Sequence, residues 1–127
     1  MPSLSFAGTP SASAGSGFDV VAAPTPGGNL GLFLYTTHGA AAAPIQNAFG
    51  WLCLSPALFR IAMQNGGGAP GACDGAFGVD FNAHVATQTV DPALVAGAQV
   101  DLQAWYRDPP NPGGANFSGA GRFVLCP

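Results

Sequence analysis

Trp105, Tyr106, Arg107 and Asp108 stand in succession just ahead of Pro109 and Pro110. Two aromatic rings beside a guanidinium and a carboxylate are the parts of a polar recognition site: the rings stack on a sugar face and the charged pair orients its hydroxyls. The same residues have a structural use. Arg carries five donors, and a strand that runs into a proline turn leaves carbonyls without ladder partners, so Arg107 and Asp108 would also fix a turn. Trp51, Trp105, Tyr35 and Tyr106 together suffice either for a sugar-stacking platform or for the aromatic share of a sandwich core.

The thiols offer a second chemistry. Cys53, Cys73 and Cys126 are the three cysteines, and none belongs to a C-x-x-C pair. Neither His38 nor His84 lies at zinc-finger spacing, so the pattern disfavours a metal site. In an oxidising compartment one disulfide and one leftover thiol are expected. By loop-closure entropy a Cys53–Cys73 bridge would contribute about 3 kcal/mol and a Cys53–Cys126 bridge about 4 kcal/mol. Cys53 with Cys126 is the favoured pair, because both sit in apolar segments. Cys73 lies in a glycine-rich loop, either free or paired with another chain. The alternative is three buried, reduced thiols.

Catalytic constellations are sparse. Asp74, Asp80, Asp91 and Asp101 are the carboxylates of the central region, but no D-x-D-x-D-G calcium loop occurs. Paired-carboxylate glycoside hydrolysis is disfavoured in a chain without Glu. No G-x-S-x-G elbow accompanies His38 or His84. Gly66, Gly67 and Gly68 have neither a Lys nor a following helix to make a phosphate loop. The chain is therefore read as non-catalytic, with no cofactor. Asn116-Phe117-Ser118 is a formal sequon that would make Asn116 a glycosylation acceptor.

The elements that must position these residues follow from composition. The chain has 127 residues, enough for one domain with a core of its own. Hydrophobic residues make up 48% of it and charged residues only 7%, against about 25% in ordinary soluble domains. All six acids are Asp and all three bases are Arg, for a net charge of -3. Three scattered Arg cannot bind a duplex or an anionic bilayer. No apolar run approaches the roughly 18 residues of a membrane helix. With Gly 19 and Pro 12, the chain reads as turn-rich and helix-poor.

Short alternating runs separated by Gly, Pro, Asn and Ser predict about eight strands. They fall near residues 3–7, 18–23, 29–36, 51–54, 58–64, 76–81, 100–107 and 122–125. In the third, Leu30, Leu32 and Leu34 share one face while Phe33 and Tyr35 share the other. Both faces are apolar, which implies a central strand buried on both sides or a contact with another subunit. Residues 38–44 read as an Ala-rich loop that Pro44 stops, and residues 84–96 as a longer excursion. The expected fold is all-β: an antiparallel sandwich, Ig-like or jelly-roll-like. Residues 18–127 would form it. Residues 1–17 would be an N-terminal strand on a flexible linker, available for donation to a neighbour's sheet edge.

Several segments resemble a recurring module found at the C-terminal ends of large secreted or surface proteins of planctomycetes and myxobacteria. These are Trp51-Leu52-Cys53-Leu54, Arg60, the stretch Gln103 to Pro109, and the closing Phe123-Val124-Leu125-Cys126-Pro127. Gly31-Leu32-Phe33-Leu34-Tyr35 and Asn116-Phe117-Ser118 are similar to its early strand and to the stretch before its last strand. The resemblance spans most of the chain from Phe18 onward. It implies an extracellular β-domain and carries no catalytic residues over.

The N-terminus, Met1-Pro2-Ser3-Leu4-Ser5, has no basic or apolar signal region. It is read as a mature form of an extracellular or cell-surface protein. A surface so poor in charge suits a chain covered by its neighbours. The expected function is a structural subunit that assembles with itself into a filament or surface layer. The alternative is an accessory adhesion module on a cell-surface glycan, with Trp105, Tyr106, Arg107 and Asp108 exposed together. No nucleic acid and no membrane insertion are expected.

Overall fold

Strands form where two-residue alternation survives between the glycine and proline breaks. A computed structural model describes residues 2–47 and 50–127; Met1 of the N-terminal arm lies outside them. The elements are β1 (Ser3–Gly8), β2 (Phe18–Thr25), β3 (Leu30–Thr36), β4 (Ala40–Asn47) and β5 (Gly50–Leu54), then β6 (Phe59–Arg60), β7 (Gln64–Asn65) and β8 (Gly75–Asp80). After α1 (Phe81–Thr87) come β9 (Gln99–Arg107) and β10 (Ala115–Val124). The first sheet has the order β1-β2-β8, and the second β10-β9-β3-β6, with β7 also on β3. Every ladder between these strands is antiparallel. The protein is an all-β sandwich, and the β4–β5 hairpin adds a third, partial layer.

Four elements depart from the sequence reading. The Ala-rich stretch is strand β4, because pairing with β5 supplies what alanine's weak β preference lacks. Residues 58–64 split into β6 and β7, two short pieces on the same edge of β3. The run of alternation through Phe81 conceals a helix start. Asp80 caps α1 by accepting from the Ala83 amide at 3.2 Å, the usual role of Asp before a first turn. The last strand begins at Ala115, well before Arg122.

The core lies between the two sheets. Phe18, Val20, Ala22 and Phe77 project from the first sheet; Phe33, Tyr35, Val100, Leu102, Ala104, Tyr106 and Phe123 project from the second. Phe81 and Val85 of α1 close one end. A glycine is required at position 31, because a Cβ there would lie 2.6 Å from the Phe77 ring and 2.7 Å from the Trp105 carbonyl.

A bulge decides what β10 presents. Phe117 pairs with Trp105 and Ala120 with Gln103, so one extra residue enters β10 between them. That residue reverses the alternation. Phe123 therefore points into the core, and Phe117 points to the outer face of the second sheet. The Ser118 hydroxyl accepts from the Ala104 amide at 2.9 Å, replacing the ladder bond that the bulge removes.

Residues 9–17, expected as a flexible linker, are tied along their length. Asn82, nearly fully buried, accepts from the Ser11 amide and donates to the Thr9 and Ser16 carbonyls. The Cys126 amide donates to the Pro10 carbonyl, and the Ala12 amide to that of Cys126. β1 pairs with β2 of its own chain from Ser3 opposite Ala23 to Gly8 opposite Phe18.

Asp80 fastens the arm from the other side. Hydrogen bonds from the Gly17 amide first, and from the Ala83 and Phe18 amides, hold its carboxyl below the ordinary value of 3.8. The folded state thus favours the charged form, and the stabilisation is complete above pH 3.8 and lost as pH falls through the lower folded value. Asp80→Asn is expected to lower Tm at neutral pH, with the gap to wild type closing on acidification through that range. Thermal unfolding followed by circular dichroism between pH 2 and 7 measures it; a gap independent of pH would show that the charge of Asp80 contributes nothing.

Candidate functional site: an apolar groove beneath the β4–β5 hairpin

Strand β3 is apolar on both faces, and one chain covers both. Phe33 and Tyr35 enter the core, while Leu32 and Leu34 pack with Leu54 and Phe117 under the hairpin. The two-sided pattern therefore reflects a third layer within the same chain.

A buried glutamine seats that layer. Gln103 projects from the outer face of β9 with 1% exposure. Its amide nitrogen donates to the Trp51 carbonyl at 3.0 Å and to the Ser118 carbonyl at 2.7 Å. Its oxygen accepts from the Cys53 amide at 3.1 Å. The side chain thus acts as a short strand along the β5 edge. Gln64 does the same for β8, donating to the Gly78 carbonyl at 3.0 Å and accepting from the Gly78 amide at 3.1 Å.

The hairpin stands off far enough to leave an open groove of about 380 Å³. Leu32, Leu34 and Trp105 line it from the sheet, Phe117 from the bulged strand, Leu52 from the hairpin, and Leu58, Arg60 and Met63 from the segment after β5. Arg60, opposite Leu34 in the ladder, is the one charged residue of this lining. Its guanidinium has no ion-pair or hydrogen-bond partner among the described residues. Arg107 lies over the Trp105 ring, its Cζ 5.9 Å from the centroid, within cation–π range.

Strand parity separates the four successive residues that sequence placed together. Trp105 and Arg107 face outward by the groove. Tyr106 faces the core at 3% exposure, where burial, with Asp108 and Cys73 adding to it, pushes its hydroxyl up to about 12. Asp108 sits at the end of the sandwich, in a separate concavity with Cys73, Pro26 and Pro70. Of the aromatic platform, Tyr35 and Tyr106 belong to the core, leaving Trp51, at 51% exposure, and Trp105 at the surface.

Cys53, Cys73 and Cys126 are all free thiols in the structure. The favoured Cys53–Cys126 bridge is not formed: Cys53 rides on the hairpin over the outer face, while Cys126 is paired with the N-terminal arm. Asn116 lies within β10, its side chain accepting from the Phe117 amide at 2.8 Å, and the sequon hydroxyl of Ser118 is buried in the bulge.

A second polar cluster closes the far end of the core. Burial, with Asp91 beside it, pushes the Tyr35 hydroxyl far above its ordinary value. Burial holds the His84 imidazole below 6.5, opposed by the Asp91 charge. The His84 and Tyr35 rings meet at 5.5 Å. No three His, Cys, Asp or Glu side chains among the described residues converge as a metal site. No helix among them is long and apolar enough to cross a membrane.

No family model, curated protein or solved structure matches this chain. Sequence reasoning had Trp105 and Arg107 but missed Arg60 as a site residue and the pairing of β3 with the hairpin. The available signal was the two-sided apolar pattern of β3, which demands a cover on each face.

Proposed function

We propose that the protein is a non-catalytic structural subunit of an extracellular or cell-surface assembly, joined to copies of itself through strand edges. The observation that carries this reading is the contrast among the sheet edges. Glutamine side chains close the β5 and β8 edges, whereas β4 has no strand beyond it among the described residues. Natural edge strands are ordinarily protected by Lys, inward charges or cover. β4 carries no charge in Ala-Ala-Ala-Ala-Pro-Ile-Gln-Asn, and Pro44 removes only one donor. Ile45 and, on the paired strand, Trp51 are exposed at 42% and 51%. Charged residues at 7% of the chain leave little to repel a neighbour. Exchange of β1 between copies, each taking the place of the other's own strand on β2, is the second contact of such an assembly. The resemblance to modules of secreted bacterial proteins supports the extracellular setting.

Sedimentation velocity from micromolar to millimolar protein tests this. The wild type, 12.6 kDa as a single chain, is expected to grow in mass with concentration, while Ala42→Lys with Ile45→Lys stops at the species that β1 exchange alone can form. A wild-type protein that stays monodisperse at the single-chain mass throughout would sink the reading.

A further inference from the structure

The charges of this chain are distributed unevenly over its faces. Arg60 is opposite Leu34, Arg107 stacks on Trp105, and Arg122 is opposite Asp101. All three cations of the sequence therefore stand on the outer face of the second sheet. Only Asp101 of the six acids shares it, and Arg122 neutralises that one at 2.7 Å. Asp19 is on the exposed side of β2, Asp74 binds the Ala69 amide in a loop, and Asp80 caps α1. Asp91 is buried beside Tyr35, and Asp108 lies in the concavity at the sandwich end. An acidic protein thus presents two uncompensated guanidinium groups around its apolar groove.

We infer that this groove binds a single-chain anionic amphiphile, a medium-length fatty carboxylate, with the acyl chain against Leu32, Leu34 and Leu52 and the carboxylate on Arg60. The volume of about 380 Å³ lies in the range of small-molecule sites. An apolar lining with one unpartnered cation selects a molecule of matching polarity. Arg binds a carboxylate through two parallel hydrogen bonds, a planar match that fixes the orientation of the headgroup. Arg107 adds positive potential along the rim. A neutral apolar ligand would leave Arg60 unused, and a cationic one would meet repulsion. This inference is independent of the β4 edge and of the assembly reading.

Isothermal titration with decanoate, below its micelle concentration, is the test, with decanol and decylammonium as comparison ligands. Decanoate is expected to bind the wild type and to quench tryptophan fluorescence, with affinity rising about fourfold per added methylene. Arg60→Gln is expected to weaken decanoate at least about tenfold, the loss of one charge-assisted pair, and to leave decanol unchanged; Arg60→Lys should recover part of the loss. Arg60 is exposed, so these variants keep the fold, and an unchanged thermal melt checks it. Absence of decanoate binding overturns the inference. So does equal affinity for decanol, or full affinity in Arg60→Gln. Dimerisation abolished by Leu58→Lys, without decanoate uptake, assigns the groove to a second copy and overturns it too.

Discussion

Phe77→Ala is expected to remove about 3–5 kcal/mol, the cost of deleting a buried ring and leaving its cavity. Domains of this size carry about 5–15 kcal/mol in all, so the variant should be largely unfolded in mild urea. Phe77 is fully buried and is the wedge that the first sheet drives against the second. Its ring tip occupies the space that a side chain at Gly31 would need, and it lies 3.1 Å from a Cβ at Gly66. Ring and glycines form one complementary surface. Gly31→Ala is accordingly expected to cost about 1–3 kcal/mol by overpacking. Combined with Phe77→Leu it should cost less than the sum, with a coupling of about 0.5–3 kcal/mol. Equilibrium urea unfolding of the four proteins measures the cycle. Strict additivity would show that the 2.6 Å approach has no energetic weight, because the backbone at Trp105 would then carry the whole clash.

The second large effect is at Gln103. Gln103→Leu keeps the volume and removes two donors and an acceptor. The Ser118 carbonyl stays buried in the bulge, and the Trp51 carbonyl and Cys53 amide lose their partner. Leaving such groups unsatisfied costs about 1–3 kcal/mol each, less where water can enter. A total of about 3 kcal/mol follows, concentrated in the hairpin and not spread through the core. Hydrogen exchange is the discriminating measurement: the Cys53 amide should lose protection while those of β9 keep theirs. Unchanged protection at Cys53 would mean that Leu52 and Leu54 alone hold the hairpin. Loosening the hairpin also dissolves the groove, so this variant should lose whatever the groove binds without any change to its lining.

Much of the sandwich could be read from residue order. The strands around Phe18, Leu32, Phe77 and Leu102 were legible because alternation is a local property, and glycine and proline mark its ends. The helix at Phe81–Thr87 was not, because Phe77, Val79 and Phe81 continue a period of two across the Asp80 cap. Strand β4 was not legible because four alanines carry no periodic signal. Its pairing comes from Gly50–Leu54, and no residue within β4 announces it. The bulge at Ser118 lies in neither category: a serine inside a strand is ordinary until its hydroxyl is seen in the ladder.

The functional surface divides in the same way. Trp105 and Arg107 share a face because strands alternate, and that parity can be counted from the chain. That Tyr106 turns inward follows from the same count, once the inner face is known.

Scarce charge, abundant turns and period-two runs are properties of neighbouring residues, so they specify an all-β chain with a poorly ionised surface before any folding is considered. Covering the second face of β3 is a different kind of fact. It depends on Gln103 meeting Cys53 across 50 residues, on Arg60 arriving beside Leu34, and on the bulge that aims Phe117 outward. Contacts between distant segments are set by packing two sheets and a hairpin into one volume, and no local pattern encodes which side chains that packing brings together.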